Sequence, residues 1–274
     1  LSDRRPHVIR LVAYWNKIEP NDEKWNFENL DWQKNEAKKE NIPVILAVGQ
    51  KVPRWPECHI PPWIPEEENE KRKQELLEYL DVITNRYKSY GNLLYWQVEN
   101  EPFLLFGECP ALDVDFLEDE IDRVRELDPA HPILLTDGGE FGNWYQAADR
   151  ADVFGTTMYR KVHNRIFGYI TYPLTPEFFQ LKKSVIQFLR DAPNQKFIVI
   201  ELGLEPWGEK QIYEISLAEQ FNLFNFEDLK ETITYAKQAK FDTYYLWGAE
   251  WWYWLKTKQN DARFWDYAKE LLKT

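Results

Sequence analysis

Apolar residues in this chain gather in short, nearly continuous runs. They are HVIRLVAYW (7–15), VILAVGQ (44–50), LLYWQVENE (93–101), PILLTDGGE (132–140), VFGTTMYR (153–160), FIVIELGL (197–204) and TYYLWGAEWW (243–252). Runs apolar at successive positions, rather than at every second one, are those of strands buried on both faces, as in a parallel sheet. Most end in polar or aromatic residues, as barrel strands do when their carboxyl ends carry a site. Between them the period changes. Residues 27–40 and 226–240 place apolar positions on one helical face and charges on the other. Pro65, followed by Glu66, Glu67 and Glu68, predicts a helix start with acidic residues matched to the dipole, and Gly91 follows the end of that helix. Thr175-Pro176-Glu177 predicts an N-cap with proline in the first turn.

Strands alternating with amphipathic helices predict an α/β chain with crossover connections, here a (β/α)8 TIM barrel. Its length of 274 residues suits one catalytic domain over 1–274, with no low-complexity linker and no second domain. The count of strand runs is seven. Because the opening residues lead directly into a strand, the expectation is that the first β/α unit lies upstream of Leu1.

Composition narrows the function. A formal net charge of -12 argues against nucleic acid or an anionic membrane surface as partner, since both would be repelled. No run is long enough to span a membrane, and no leader peptide is visible. Compartment, secreted or cytoplasmic, and oligomeric state stay open. Aromatic content is 16%, with 13 Trp. Such rings fill cores, and their flat faces also stack on sugar rings; this number leans toward carbohydrate. Cys58 and Cys109 suffice for one bridge or two buried thiols, not for a metal site of cysteine spacing. His59 is one of four histidines and has no second histidine at ligand spacing, so neither metal nor cofactor is expected. There is no Gly-rich phosphate loop and no Gly-x-Ser-x-Gly elbow.

Two carboxylates stand at strand ends. Glu101 closes LLYWQVEN just before Pro102, and Glu201 closes FIVI before Leu202-Gly203. Glycoside hydrolysis needs such a pair flanking the scissile bond, about 5–5.5 Å apart when configuration is retained. WQVENEP (96–102) resembles the fourth-strand motif of clan A glycoside hydrolases, and IELG (200–203) their seventh-strand motif. VIRLVAYW (8–15) resembles the second strand of glycoside hydrolase family 5, and YLWGAEWW (245–252) the eighth. The resemblance covers essentially the whole chain. It implies that Glu101 is the general acid/base, Glu201 the nucleophile, and that Asn100 bonds the sugar 2-hydroxyl. It further implies that Arg10 supports Glu201, Tyr159 donates to it, and Trp247 lies beneath the sugar. Gln50 and Thr157 stand where family 5 usually has histidines, which points to an outlying family.

Trp15 and Trp207 follow strands and are expected to face sugar. Glu250 either grips sugar hydroxyls or pairs with a loop arginine, and Glu205 reads as a loop residue. The long connections 160–174 and 203–225, with Phe167, Tyr169, Tyr172, Trp207 and Tyr213, read as cleft walls. The expected function is a retaining β-glycoside hydrolase acting on β-linked hexose poly- or oligosaccharides of glucan or mannan type. The alternatives are an exo-acting β-glucosidase- or β-galactosidase-like enzyme, or a non-catalytic carbohydrate-binding barrel.

Overall fold

The computed structural model describes residues 7–164, 168–208 and 210–272. In chain order its elements are β1 (Ile9–Val12), α1 (Trp15–Ile18), α2 (Glu28–Lys39), β2 (Val44–Val48), α3 (Asn69–Tyr87), β3 (Leu93–Val98), α4 (Val114–Leu127), β4 (Ile133–Asp137), α5 (Tyr145–Arg150) and β5 (Val153–Met158). They continue with β6 (Lys161–Asn164), β7 (Gly168–Thr171), α6 (Pro176–Leu189), β8 (Lys196–Gly203), α7 (Leu217–Leu223), α8 (Phe226–Gln238), β9 (Tyr244–Trp247), α9 (Ala249–Lys258) and α10 (Arg263–Leu271). Seven strands join one sheet in the order β1-β2-β3-β4-β5-β8-β9. The pairs β1–β2, β2–β3, β3–β4 and β8–β9 are parallel. Sequential parallel strands with intervening helices are the (β/α)8 plan, with seven of its strands among the described residues. All seven apolar runs are strands of this sheet.

The chain groups into two compact units, Leu1–Asp137 with Asn143–Phe154, and Gly138–Gly142 with Gly155–Thr274. In the first, β2 is buried along its whole length, and Tyr79, Tyr87 and Trp96 are fully enclosed, as are Ile45 and Leu46. The polar tips of these rings find partners, as buried ones must. The Trp96 indole donates to Asp128 Oδ2 at 2.8 Å, and the Tyr87 hydroxyl to Asp31 Oδ1 at 2.7 Å. Cys58 and Cys109 form a disulfide with Cα atoms 5.2 Å apart, tying the loop after β2 to the loop after β3. In the second unit Phe179, Phe197 and Phe264 are enclosed, and α8 starts from a reciprocal cap between Asn225 and Asp228.

Several boundaries differ from the pattern. Pro65 does not open α3: its carbonyl accepts the Glu68 N–H at 3.1 Å, closing a turn, and the helix begins at Asn69. The run 243–252 splits at Gly248 (φ 129), beyond which α9 begins. The connection 160–174 contains an antiparallel hairpin, β6–β7; Phe167 lies outside the described residues. The connection 203–225 holds a 3-10 turn at Ile212–Glu214 and then α7. Among the described residues no helix is long and apolar enough to cross a membrane.

Candidate active site

The first candidate centre lies where β3 runs out. Strand geometry stops at Val98, and the next three residues are Glu99 (φ 56), Asn100 and Glu101 (φ 45). A left-handed conformation in a non-glycine residue costs roughly 1–2 kcal/mol, so something must hold these two. The Glu101 N–H donates to Thr136 Oγ1 at 2.8 Å, and its carbonyl accepts from Lys51 Nζ at 3.0 Å. The Asn100 N–H donates to the Lys51 carbonyl at 2.7 Å, and the Glu99 N–H to the Val48 carbonyl at 2.9 Å. Glu101 is 8% exposed.

A side-chain relay leads to the same residues. Arg10 Nη1 donates to Gln97 Oε1 at 3.4 Å, and Gln97 Nε2 to Asn100 Oδ1 at 3.1 Å. Asn100 Nδ2 in turn donates to Glu57 Oε2 at 3.2 Å. Arg10 and Asn100, both expected at the site, are therefore linked through Gln97. Gln50 uses its side-chain oxygen to accept from Arg72.

The second centre lies in the other unit, at the end of β8. Glu201 is buried, and Tyr159, just past β5, donates its hydroxyl to Glu201 Oε2 at 2.8 Å. Gly203 explains part of the Glu-x-Gly spacing. A Cβ there would stand 2.5 Å from Tyr159 Cδ1 and 2.7 Å from Cε1, so any side chain would push the ring away. Tyr159 is also held through its backbone, whose N–H donates to Glu140 Oε1 at 2.9 Å. Burial pushes the Glu140 carboxyl up to about 8. Thr157 Oγ1 accepts from the Gly139 N–H at 2.9 Å, a structural use of that position.

Trp247 ends β9 half-buried, paired with Gly203 across the β8–β9 ladder. Glu250 is exposed in the first turn of α9, where a carboxylate complements the helix dipole. Trp207 is half-buried, and Gly208 beside it leaves room for the Tyr169 hydroxyl of the β6–β7 hairpin, 2.7 Å from where a Cβ would be.

Trp15 corrects an expectation. It is fully buried, with its indole donating to Glu19 Oε2 at 2.9 Å and its ring 5.6 Å from that of Tyr79. The chain turns into α1 directly after β1, which carries this ring into the core and away from any sugar. Trp144, Trp251 and Trp252 are likewise core residues, whereas Trp55 is 45% exposed. Sequence reasoning passed over Glu99, Glu57 and Lys51, all buried around Glu101. For Glu99 and Lys51 the one visible signal was charge within or just after an apolar run; Glu57, in the loop after β2, gave none. Among the described residues no group of three or more His, Cys, Asp or Glu could hold a metal ion.

No family model matches the sequence, and no curated protein matches it. Solved structures do resemble it. The β-galactosidase of the Antarctic haloarchaeon Halorubrum lacusprofundi superposes with a TM-score of 0.60 at 14% identity, over 88% of this chain and 48% of that one. Xylanase 10B of Thermotoga maritima gives 0.61 at 15%, over 91% and 78%. GH5_18 of Streptomyces cattleya, in complex with GlcNAc, gives 0.59 at 13%, over 88% and 61%. At such identities the likeness establishes the fold, a (β/α)8-type chain. The chain spans about half the length of the β-galactosidases it matches.

Proposed function

We propose that this chain is a retaining β-glycoside hydrolase of the clan A type, with Glu201 as nucleophile and Glu101 as acid/base. The observation that carries the reading is the Tyr159–Glu201 pair. A buried carboxylate at the carboxyl end of a sheet strand takes a phenolic hydrogen bond at 2.8 Å, and a glycine two residues on makes room for the donor ring. That arrangement orients the carboxylate through one of its oxygens. Glu201 adds to the anomeric carbon while Glu101 protonates the departing glycosidic oxygen. Water then enters with Glu101 as base, releasing the sugar and regenerating Glu201. Asn100 and Arg10 support this chemistry, Trp247 supplies a stacking face, and Trp207 and Glu250 contribute contacts to sugar hydroxyls or rings.

The substrate class is a β-linked hexose polymer or oligosaccharide, glucan or mannan. Likeness in fold to β-galactosidases supports an exo-acting, β-galactosidase-like version as second reading. The Cys58–Cys109 bridge suits an oxidising compartment. The test is hydrolysis of a panel of aryl β-glycosides, β-glucan and β-mannan oligosaccharides and aryl β-galactosides by the parent chain, Glu201→Gln and Glu101→Gln. Activity lost in Glu201→Gln, with one class preferred by the parent, supports the reading and names the sugar. Full activity in Glu201→Gln rejects this nucleophile, and oligosaccharide binding without turnover by the parent favours a binding barrel.

A further inference from the structure

The hydroxyl of Tyr159 reaches Glu201 from the far end of a rigid ring, so a small rotation at the backbone becomes a large displacement at the oxygen. Tyr159 is the first residue past β5, where a backbone N–H needs an acceptor from outside the strand. That acceptor is a side chain. Glu140 Oε1 takes the Tyr159 N–H at 2.9 Å. The ring then passes close to Gly203 and puts its hydroxyl 2.8 Å from Glu201 Oε2. Two hydrogen bonds, one at each end of the same residue, join Glu140 to the proposed nucleophile.

Glu140 is carried by a tight turn that is held on two sides. The Gly142 N–H donates to the Gly138 carbonyl at 3.1 Å and closes the turn. On one side the turn lies against the end of β5. The Gly139 N–H donates to Thr157 Oγ1 at 2.9 Å, and a Cβ on Gly139 would stand 1.9 Å from the Thr157 carbonyl oxygen, so only glycine fits there. On the other side Lys182 of α6 donates through Nζ to the carbonyls of Gly139, at 2.9 Å, and Gly142, at 2.5 Å. Hydrogen bonds from an ammonium are stronger than those between neutral groups. All of these residues belong to the second unit. The turn is a bracket with Glu140 at its centre.

We propose that Glu140 is a positioning residue for the nucleophile, acting through Tyr159: its carboxyl fixes the Tyr159 backbone, and the bracket between Thr157 and Lys182 fixes Glu140. The proposal rests on the glycosidase reading for its effect on turnover, but not for its effect on the Tyr159–Glu201 contact. A misplacement of about 1 Å near the reacting groups can cost on the order of a hundredfold in rate. Here the cost is limited to what the Tyr159 hydroxyl contributes. Sugar binding is left alone, so the loss falls on kcat rather than on KM.

Glu140→Met removes the acceptor and keeps most of the bulk. On the preferred aryl β-glycoside at about pH 6, kcat should fall roughly 5- to 30-fold with KM changed less than about threefold. Glu140→Gln keeps an oxygen for the Tyr159 N–H. Burial pushes the parent carboxyl up to about 8, so under these conditions it is mostly neutral and the amide is a close match. This variant should keep roughly half or more of the parental kcat. Glu140→Met combined with Tyr159→Phe should be no more than about threefold slower than Tyr159→Phe alone, because both changes remove one contact. An equal loss in Glu140→Gln, a loss carried by KM, or fully multiplicative losses in the double variant overturn the proposal. The crystal structure of Glu140→Met needs no substrate. The Tyr159 hydroxyl should stand beyond about 3.5 Å from Glu201 Oε2, and a contact kept at hydrogen-bonding distance overturns the proposal. If that variant fails to fold, Lys182→Met reads the bracket from a half-buried position on α6. Amide exchange at Tyr159, corrected for intrinsic rate, should then be about tenfold faster or more than in the parent, and an unchanged rate overturns the proposal. If the parent hydrolyses no glycoside while the hydroxyl leaves Glu201 in Glu140→Met, the glycosidase reading fails and the bracket stands.

Discussion

Replacing Tyr159 with phenylalanine removes one oxygen atom and leaves the ring to pack as before. The lost contact is the 2.8 Å hydrogen bond to Glu201 Oε2, made to a carboxylate that is only 4% exposed. Hydrogen bonds to charged groups contribute about 1.5–3 kcal/mol net. Because Tyr159 is itself half-buried, water can partly replace its hydroxyl, which favours the lower end of that range. At about 1.4 kcal/mol per factor of ten, kcat/KM on the preferred aryl β-glycoside should fall roughly 10- to 30-fold. Gly203→Ala should reach a similar loss by another route, since its new Cβ would stand 2.5 Å from the Tyr159 ring and displace the same donor. In the double variant the losses should not multiply, because both remove one contact. Steady-state kinetics with a thermal melt of each protein checks this. Parental kcat/KM in a folded Tyr159→Phe would refute the reasoning, and fully multiplicative losses would show that Gly203 acts elsewhere.

Two further outcomes bear on the first unit. Lys34 is fully buried, its Nζ lacks a hydrogen-bond partner, and burial pushes it from 10.5 down to about 8. The unfolded chain thus keeps a proton that the folded one loses between these values, so this residue makes stability rise with pH from about 8 to 10.5. Each tenfold change in proton affinity between the two states is worth about 1.4 kcal/mol. Lys34→Met should therefore stabilise the protein at pH 7 by about 2–3 kcal/mol and flatten that rise. Urea midpoints at pH 7 and pH 10 measure both, and an unchanged midpoint at pH 7 would refute the account. The Cys58–Cys109 bridge closes a sequence separation of 51, for which loop entropy gives about 4 kcal/mol. The Cys58→Ala/Cys109→Ala variant should lose about 2–4 kcal/mol in urea unfolding, and no loss would mean the bridge adds little to what packing already holds.

Much of the fold was legible in the chain. Seven apolar runs became the seven strands of one sheet, because a strand covered on both faces has to be apolar at successive positions. The places where those runs turn polar mark the ends at which Glu101 and Glu201 stand, whereas the close approach of Tyr159 to Gly203, two residues after Glu201, came from the structure. The β6–β7 hairpin was not legible, since its strands are short and alternate weakly.

What the sequence by itself determined was where backbone hydrogen bonding had to be satisfied inside an apolar sheet, and hence the order of elements and the strand ends. Tertiary structure alone decided where individual side chains point at those ends. Trp15 looked like a loop aromatic, but the turn into α1 carries it into the core against Glu19 and Tyr79. Glu99 and Glu101 are both glutamates beside Asn100, yet Glu99 faces Gly49 and the backbone N–H groups of Gln50 and Lys51. The physical reason is that periodicity reports which face of a regular element a residue occupies. Past the end of a strand there is no period, and left-handed turns and two backbone donors settle the direction.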